Sequence, residues 1–456
     1  MKSIYTPNDF AHLSSDWEMI QAAIDEAKKR DASVVIPAFN ERTGKRIWEI
    51  DKTIILYTGS YVTIDNAHIR LVDDTYIHFF ENEASANDGW WLSETKNYDI
   101  TLIGRGNAVL DGGNHNGIFE KTFNKYDREG NYIGKATYKG LNNIAVNRGL
   151  SFRNIKGITV SGLKFINQRY WAMCFEFCSY GHVSDITFEA LANVPNQDGI
   201  DIREGCNNFL VENICGKTGD DTIALTNFGL PSSYGGNEMT DMDVDIHDII
   251  IKNVRSYLTD ECDMIRLLSR GGNKIYNVQI SNVEDITPEY SEGRALCGVM
   301  IGALCDYPSR LNELGEIRNI TIRDVISRAR FGVYVANTLA DSVFENIMMT
   351  ADGGIGMYFN GCELKNIFID KLIYNSLAEA PNSLLGFRSK FHRFYIDQLN
   401  ALHFNNSTAE NLFISNVVSG KNLSYVFGGN SKIDINATNI AIQDKNTKLT
   451  DQPNII

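Results

Sequence analysis

Hydrophobic and polar residues alternate along most of the chain in short segments of one pattern. Each segment has hydrophobic residues at its first and third positions, a small or polar residue at its fifth and usually an aliphatic residue at its sixth, as in residues 249–254, 278–283 and 320–325. Alternation with a period of two, rich in β-branched residues, is typical of β-strands. The fifth position is mostly Asn, Asp or Gly, which predicts a turn at the end of each strand.

The segments recur along the chain at short intervals. Measured at the fifth position, the intervals from 324 to 346, from 346 to 371 and from 371 to 398 are 22, 25 and 27 residues, and the interval from 213 to 253 is 40. Strands that repeat this often cannot each bury an apolar face alone, so they must stack as a solenoid. The sequence therefore predicts an all-β fold, a single-stranded right-handed parallel β-helix whose turn asparagines lie inside the stack. A propeller, with blades of about 40–50 residues, is the alternative.

A helix signal stands near the start of the chain. Ser15 and Glu18 have the spacing of a capping box, and apolar residues follow at helical spacing up to Ala27. We expect a short capping α-helix over the open end of the solenoid, with residues 1–37 as the N-terminal cap. No break in composition divides the chain, so residues 1–456 are predicted to form one parallel β-helix domain with a loop insertion at 122–139.

Composition and charge narrow the classes of partner. The formal net charge of −14 disfavours nucleic acid, and no apolar run approaches the ~20 residues of a membrane span. The first residues lack the apolar core of a signal peptide, so we expect a cytoplasmic protein, or a secreted one if a leader was removed. The eight cysteines form no Cys-x-x-Cys pair, which predicts buried, reduced thiols such as Cys215. No cofactor and no metal are expected, and the oligomeric state stays open.

Three aspartates stand on what the repeat predicts to be neighbouring coils. Asp198 lies in the run Asn-Gln-Asp-Gly that starts at residue 196, and Asp220 and Asp221 follow a glycine. The 23 residues from 198 to 221 equal one coil, which stacks Asp198 beside Asp221 with strands ~4.8 Å apart. Like charges this close push one pKa up and leave another carboxylate ionised, as glycosidic cleavage by an acid/base pair requires. A cation site and a row of solvated turn aspartates are the alternatives.

Four motifs occur in order between residues 102 and 225. They are a glycine-rich strand ending in Asp-Gly at 104–113, Asn-Gln-Arg-Tyr-Trp at 167–171, Asn-Gln-Asp-Gly at 196–199 and Gly-Asp-Asp at 219–221. In this order and at this coil spacing they resemble the motifs of glycoside hydrolase family 28. That family comprises the polygalacturonase-like enzymes of the pectin lyase-like right-handed β-helix superfamily.

The resemblance implies inverting hydrolysis by the three aspartates. Asp220 then protonates the leaving oxygen, while Asp198 and Asp221 activate water. Asp220 sits one position before Asp221, so its carboxylate can diverge and leave room for the water that inversion needs between acid and base.

Two family motifs are absent at their expected positions. Asp263 stands where the family has the histidine of Gly-His-Gly, and Met-Ile-Gly at 300–302 replaces the Arg-Ile-Lys that grips the substrate carboxylate. If the aliphatic residues on either side of Arg266 point inward, Arg266 points outward on the same face as Asp201. Arg266 then either substitutes for the lost cations or forms a structural salt bridge with Asp201 or Asp263.

Further residues around this segment are candidates for sugar binding. Arg169 and Trp171 open a strand one coil before the first aspartate, and an aromatic ring beside an arginine is a common sugar anchor. Alternation directs the charges of Glu176 and Arg203 outward, and His115 is placed to overhang the cleft. Packing for Trp171 and simple solvation for the charges are the alternatives. The expected substrate-binding residues are Asp201, Arg266, Asp263, Arg169, Trp171, Glu176, Arg203 and His115.

These expectations together describe an inverting glycoside hydrolase that acts on uronate-containing or plant-cell-wall-derived oligosaccharides. The tyrosine-rich insertion at 122–139 would block one end of the groove, which favours exo-action. Two other classes stay open, namely a Ca²⁺-dependent β-helix polysaccharide lyase or fructosyl transferase, and a non-catalytic carbohydrate-binding β-helix whose chemistry has decayed. The expected partner is an oligosaccharide substrate, with no nucleic acid and no membrane.

Overall fold

The computed structural model describes most of the chain, in two compact units. The described residues are 3–87, 89–116, 148–231, 236–258, 262–288, 291, 293–303, 310–350, 354–374, 388–389, 394–396, 398–420, 423–431 and 433–450. The first unit comprises Met1–Asp221 and Tyr234–Asp243, and the second comprises Thr222–Ser233 and Val244–Ile456. The predicted insertion at 122–139 lies outside the described residues, and the prediction of one domain over 1–456 stays a prediction.

Short parallel strands build the first unit. They are β1 (Ile4–Tyr5), β2 (Ser33–Pro37), β3 (Trp48–Ile50), β4 (Ile54–Leu56), β5 (Tyr61–Asp65), β6 (His68–Leu71), β7 (Phe80–Asn82), β8 (Asn97–Arg105), β9 (Val109–Asp111), β10 (Leu150–Arg153), β11 (Ile155–Ser161), β12 (Lys164–Ile166), β13 (Met173–Glu176), β14 (Ser179–Glu189), β15 (Ile200–Arg203) and β16 (Asn207–Lys217). They form three parallel ladders, β2-β5-β8-β11-β14-β16, β3-β6-β9-β12-β14 and β4-β7-β10-β13-β15. Each strand therefore pairs with its equivalent one coil further on.

The second unit repeats this construction. Its strands are β17 (Ile223–Asn227), β18 (Ile246–Tyr257), β19 (Asp263–Ser269), β20 (Ile275–Asp285), β21 (Cys297–Ile301), β22 (Ile317–Ser327), β23 (Phe331–Met349), β24 (Ile355–Tyr374), β25 (Arg388–Ser389), β26 (Phe394–Tyr395), β27 (Asn400–Asn405), β28 (Thr408–Ser419), β29 (Tyr425–Gly429), β30 (Ile435–Ile442) and β31 (Lys448–Thr450). Two parallel ladders, β17-β19-β21-β23-β24-β27-β29-β31 and β18-β20-β22-β23-β24-β28-β30, share the long strands β23 and β24. The short strands β25 and β26 pair antiparallel.

Both units are parallel β-helices with a buried interior of aliphatic and aromatic side chains. Crossovers between parallel strands of one sheet are right-handed in nearly all proteins. The predicted fold class, a right-handed parallel β-helix, is confirmed. Within the described ranges, no helix is long and apolar enough to cross a membrane.

The predicted capping helix is α1 (Asp16–Arg30), the one α-helix among the described residues. The Ser15 hydroxyl accepts from the Glu18 N–H at 3.1 Å, and the Glu18 carboxylate accepts from the Ser15 N–H at 3.1 Å, so the capping box is complete. Short 3₁₀ turns span Pro7–Phe10, Ser93–Thr95 and Asn237–Met239. The buried face of α1 includes Ile20 and Ile24, and the helix packs against β1 to β4.

Turn asparagines such as Asn253 and Asn282 adopt a left-handed backbone, as expected, but they lie at the outer surface, whereas the left-handed Asn154 is fully buried. Asn253 and Asn282 have φ angles of 57° and 55°, and Asn282 Nδ2 donates to Asn253 Oδ1 at 2.7 Å. A similar bond of 2.6 Å joins Asn346 to Asp324. The prediction that these side chains lie inside the stack is wrong, because the left-handed residue bends the chain at a corner where its side chain projects to solvent. The interior is filled mainly by aliphatic and aromatic residues.

The described cysteines agree with the prediction except at Cys215 and at the half-buried Cys262. Five described cysteines are buried free thiols, namely Cys174, Cys178, Cys206, Cys297 and Cys362. Cys215 is exposed. It follows the buried Ile214 in β16 and pairs with Thr187, so alternation turns it outward.

Asn282→Ala is expected to lower the free energy of unfolding by about 1–2 kcal/mol, because alanine is strained in a left-handed backbone that asparagine tolerates. Asn282→Gly keeps the backbone relaxed and loses only the side-chain bond, so it should cost less. Chemical denaturation followed by circular dichroism measures both changes. Equal losses in the two variants would contradict the importance of the left-handed backbone.

Candidate active site

The site lies on the β7-β10-β13-β15 ladder of the first unit. Parallel register sets Ser151, Cys174 and Asp201 opposite one another on three successive coils. The residues that alternate with them, such as Phe175 and Ile202, face the buried interior. The stacking of the apolar core beneath these strands therefore fixes which residues lie next to one another on the outer face.

Backbone bonds bring Asp198 and Asp221 to the same position on adjacent coils. The Ala172 N–H donates to the Asp198 carbonyl at 3.0 Å, and the Gly199 N–H donates to the Asp221 carbonyl at 2.9 Å. Carboxylate oxygens of Asp220 and Asp221 lie within 4.8 Å of each other. Asp198 and Asp221 are buried, whereas Asp220 is half-buried. The three aspartates thus lie at aligned positions on two adjacent coils, with Asp198 on one coil and Asp220 and Asp221 on the next.

Hydrogen bonds stabilise the two turns that carry the aspartates and join them to each other. Asp220 Oδ1 accepts from the Asp221 N–H at 2.9 Å, and its Oδ2 accepts from Asn196 Nδ2 at 3.4 Å. The Gly219 N–H donates to the Gln197 carbonyl at 3.0 Å. A Cβ atom at Gly219 would lie 2.9 Å from the Cβ of Gln197, so the glycine allows this close approach.

A buried group of charges lies on the same ladder, with Arg148 just before β10 and Arg153, Glu176 and Arg203 at the ends of β10, β13 and β15. Arg148 Nη1 is 3.0 Å from Glu176 Oε2, and Arg153 Nε also contacts that oxygen. Arg203 Nε lies 3.5 Å from Glu204 Oε2. Burial acts to raise the pKa of Glu176, but the two arginines on it hold that pKa well below its usual range. Glu176 therefore stays ionised.

Asp201 shows the opposite electrostatic behaviour. Burial raises the pKa of its carboxyl well above the usual range, Arg203 and Arg148 oppose this, and Asp221 and Asp220 add to it. The side chain is 2% exposed. Its Oδ2 atom has no hydrogen-bond partner among the described residues. The environment thus favours a neutral carboxylic acid at Asp201.

The first unit brings together most of the predicted residues. Trp171 stacks on Tyr170 with ring centres 4.9 Å apart, and Arg203 lies 5.2 Å from the centre of Trp171. Glu176 and Arg203 alternate outward as predicted, but they are buried or half-buried within the charged group and so are not simply solvated. Arg169 is 5% exposed and donates to Asn193 at 3.2 Å in the segment before the first aspartate.

The other three predicted residues are His115 of the first unit and Asp263 and Arg266 of the second unit. His115 lies in the turn after β9, where its carbonyl accepts from the Asp74 N–H at 3.1 Å. Asp263 and Arg266 belong to β19 of the second unit. Asp263 is buried, and Arg266 is half-buried in register with Met300, with Ile265 and Leu267 facing inward as predicted.

Sequence reasoning missed Arg148, Arg153 and Glu204. A usable signal existed, because Arg148 precedes Trp171 and Arg153 precedes Glu176 by the same 23 residues, which is one coil. The register of β10 against β13 pairs Arg153 with Glu176.

Comparison with known proteins agrees with the four motifs. The model of glycosyl hydrolases family 28 matches residues 80–229, which contain the three aspartates. A polygalacturonase of Cryptomeria japonica is 28% identical over 163 residues, which cover 35% of this chain and 28% of that relative. The chain thus matches less than a third of the length of this curated relative. The resemblance to family 28 is confirmed for the matched segment.

Solved structures resemble the whole described fold. A mutant tailspike protein of E. coli bacteriophage HK620 has a TM-score of 0.55 at 11% identity, covering 97% of this chain and 79% of that chain. A family 28 exopolygalacturonase of Yersinia enterocolitica has a TM-score of 0.47 at 12% identity, covering 99% and 78%. At such identity the likeness to the tailspike protein shows the fold alone.

Asp201→Asn is expected to stabilise the folded protein increasingly as pH rises. Because the folded pKa of Asp201 is raised, wild type loses stability as pH climbs from the unfolded value of about 4 toward the folded one, by ~1.4 kcal/mol per unit of pKa difference. Asparagine cannot ionise and removes this loss. Chemical denaturation between about pH 5 and pH 8 measures it, with the exposed Asp99→Asn as control. A difference from wild type that stays constant across this range would refute the raised pKa.

Proposed function

We propose that the protein is an inverting glycoside hydrolase in which Asp220 is the general acid and Asp198 and Asp221 are the general bases. The observation that carries this proposal is the gathering of the three aspartates on adjacent coils by backbone bonds to Asp198 and Asp221. The match of residues 80–229 to glycosyl hydrolases family 28 supports the same reaction class.

The contacts of Asp220 support its role as the acid. Its Oδ1 is oriented by the Asp221 N–H at 2.9 Å, while Oδ2 has a longer contact of 3.4 Å with Asn196. In the proposed reaction Oδ2 carries the proton and gives it to the glycosidic oxygen as the C–O bond breaks. Asp198 and Asp221 take a proton from the water that attacks the opposite face of the anomeric carbon, and solvent returns the proton to Asp220.

We infer uronate-containing, plant-cell-wall-derived oligosaccharides as substrates. The relative from Cryptomeria japonica is a polygalacturonase. The first unit also holds Arg148, Arg153 and Arg203 close to the site, and guanidinium groups bind carboxylates in a bidentate manner. Exo-action is part of the proposal and is supported by the tyrosine-rich insertion at 122–139 in the sequence.

A carbohydrate-binding β-helix without catalysis is the second candidate. Asp263 and Met300 stand where the family has the histidine of Gly-His-Gly and the arginine of Arg-Ile-Lys, and Met300 is buried in register between Arg266 and Tyr334. Binding of a sugar panel with no product from any member would favour this candidate over the enzyme.

Asp220→Asn is expected to lower kcat on oligogalacturonides by ~10²- to 10⁴-fold while KM stays near the wild-type value, because it removes the proton donor and keeps the shape of the side chain. Reducing-end release measures both constants. The exposed Asp99→Asn variant of the same unit is the matched control. Wild-type turnover in Asp220→Asn would reject the acid assignment.

The product anomer and the response to chelation distinguish the reaction classes. Nuclear magnetic resonance during early turnover should show the inverted anomer, and saturated products should form at the same rate after treatment with EDTA. An unsaturated product that requires Ca²⁺ would identify a lyase, and a retained anomer would exclude the proposed roles of Asp198 and Asp221.

A further inference from the structure

Two arginines flank the ring of Trp171 in the first unit. The guanidinium carbon of Arg148 lies 4.9 Å from the ring centre, and that of Arg203 lies 5.2 Å from it. The three residues come from three successive coils, since the Gly149 N–H donates to the Trp171 carbonyl and the Ala172 N–H donates to the Asp198 carbonyl. Trp171 therefore presents its ring on the coil between the two cations.

The charges around Trp171 are unevenly matched. Arg148 and Arg153 share one carboxylate, Glu176, and Arg203 lies 3.5 Å from Glu204. The carboxyl of Asp201, which interacts electrostatically with Arg203 and Arg148, is favoured in its neutral form by burial. Arg148 is 6% exposed, and its Nε atom has no hydrogen-bond partner among the described residues. Buried cations with incomplete partners are costly unless an anion completes them.

The position of this group relative to the aspartates suits a bound sugar chain. Arg148, Trp171 and Asp198 occupy the same place on consecutive coils. Arg148 is thus two strand spacings from Asp198, roughly 10 Å along the stack. The indole N–H of Trp171 is buried and without a hydrogen-bond partner in the described part of the chain, so it can donate to a sugar hydroxyl.

We infer that Arg148 and Arg203 bind the carboxylate of a uronic acid beside Trp171, in a subsite adjacent to the three aspartates. The planar fork of each guanidinium matches a carboxylate, and the indole N–H supplies a donor for a hydroxyl of the same sugar. This inference rests on the proposed function for its class of ligand. It assigns to the first unit the carboxylate recognition that the family places in its Arg-Ile-Lys motif.

Binding of trigalacturonate and of its neutral, carboxyl-reduced counterpart tests the inference by titration calorimetry on the full chain. Wild type should prefer the acidic trimer. Arg203→Gln should weaken binding of the acidic trimer by at least ~10-fold and of the neutral trimer by less than ~3-fold, because only the acid loses a charge-assisted bond. Arg105→Gln, an exposed arginine of the same unit, is the control and should change neither.

The double variant Arg148→Gln/Glu176→Gln tests the second cation while removing one buried charge of each sign, which limits the cost to folding. It should reduce the preference for the acidic trimer in the same way. If it does not fold, Arg203→Gln decides alone.

The outcomes separate this inference from the proposed function. Cleavage of the acidic trimer with an unchanged preference in Arg203→Gln would overturn the inference and leave the hydrolase proposal standing. Arginine-dependent binding of the acidic trimer without cleavage would support the inference and overturn the hydrolase proposal. Absence of binding and cleavage of both trimers by wild type would overturn both.

Discussion

The candidate site depends on the hydrogen bonds that run from the backbone of one coil to the next. In the first unit the bonds from Gly149 to Trp171, from Ala172 to Asp198 and from Gly199 to Asp221 place residues of distant sequence on one line. A slip of one residue would turn the aliphatic interior outward, so the buried core itself holds this register. The geometry of the aspartates is therefore maintained by the whole stack and not only by their neighbours.

Much of this arrangement could be predicted because it follows from periodicity. The alternation of two gave the strands, the interval of 23 residues gave the neighbourhood of Asp198 and Asp221, and the capping box at Ser15 gave the helix. Each of these signals is local or repeats at a fixed interval. Physical rules that act at one residue or one coil are the ones a sequence displays directly.

The part of the site that could not be predicted is the burial of outward-facing residues. Alternation shows that a side chain points outward but does not show whether other residues cover it. Glu176 reads as a solvated charge, yet it is 5% exposed between two arginines. Asp201 reads as one more outward acid, yet burial raises the pKa of its carboxyl well above the usual range. The outer asparagines and Cys215 show the same limit, because the bend of the backbone at a corner decides whether the residues there point inward or outward.

The stacked coils of the first unit place residues of one line at fixed axial distances from one another. A loop inserted at a corner widens one coil without changing the axial distance between residues on the same line, whereas gain or loss of a whole coil changes it by one strand spacing, ~4.8 Å. The separation of Arg148 from Asp198 can therefore vary only in whole steps. In β-helices of this kind, the distance between groups that bind a polymer therefore changes by whole strand spacings, while loop residues can change the chemistry at each coil independently.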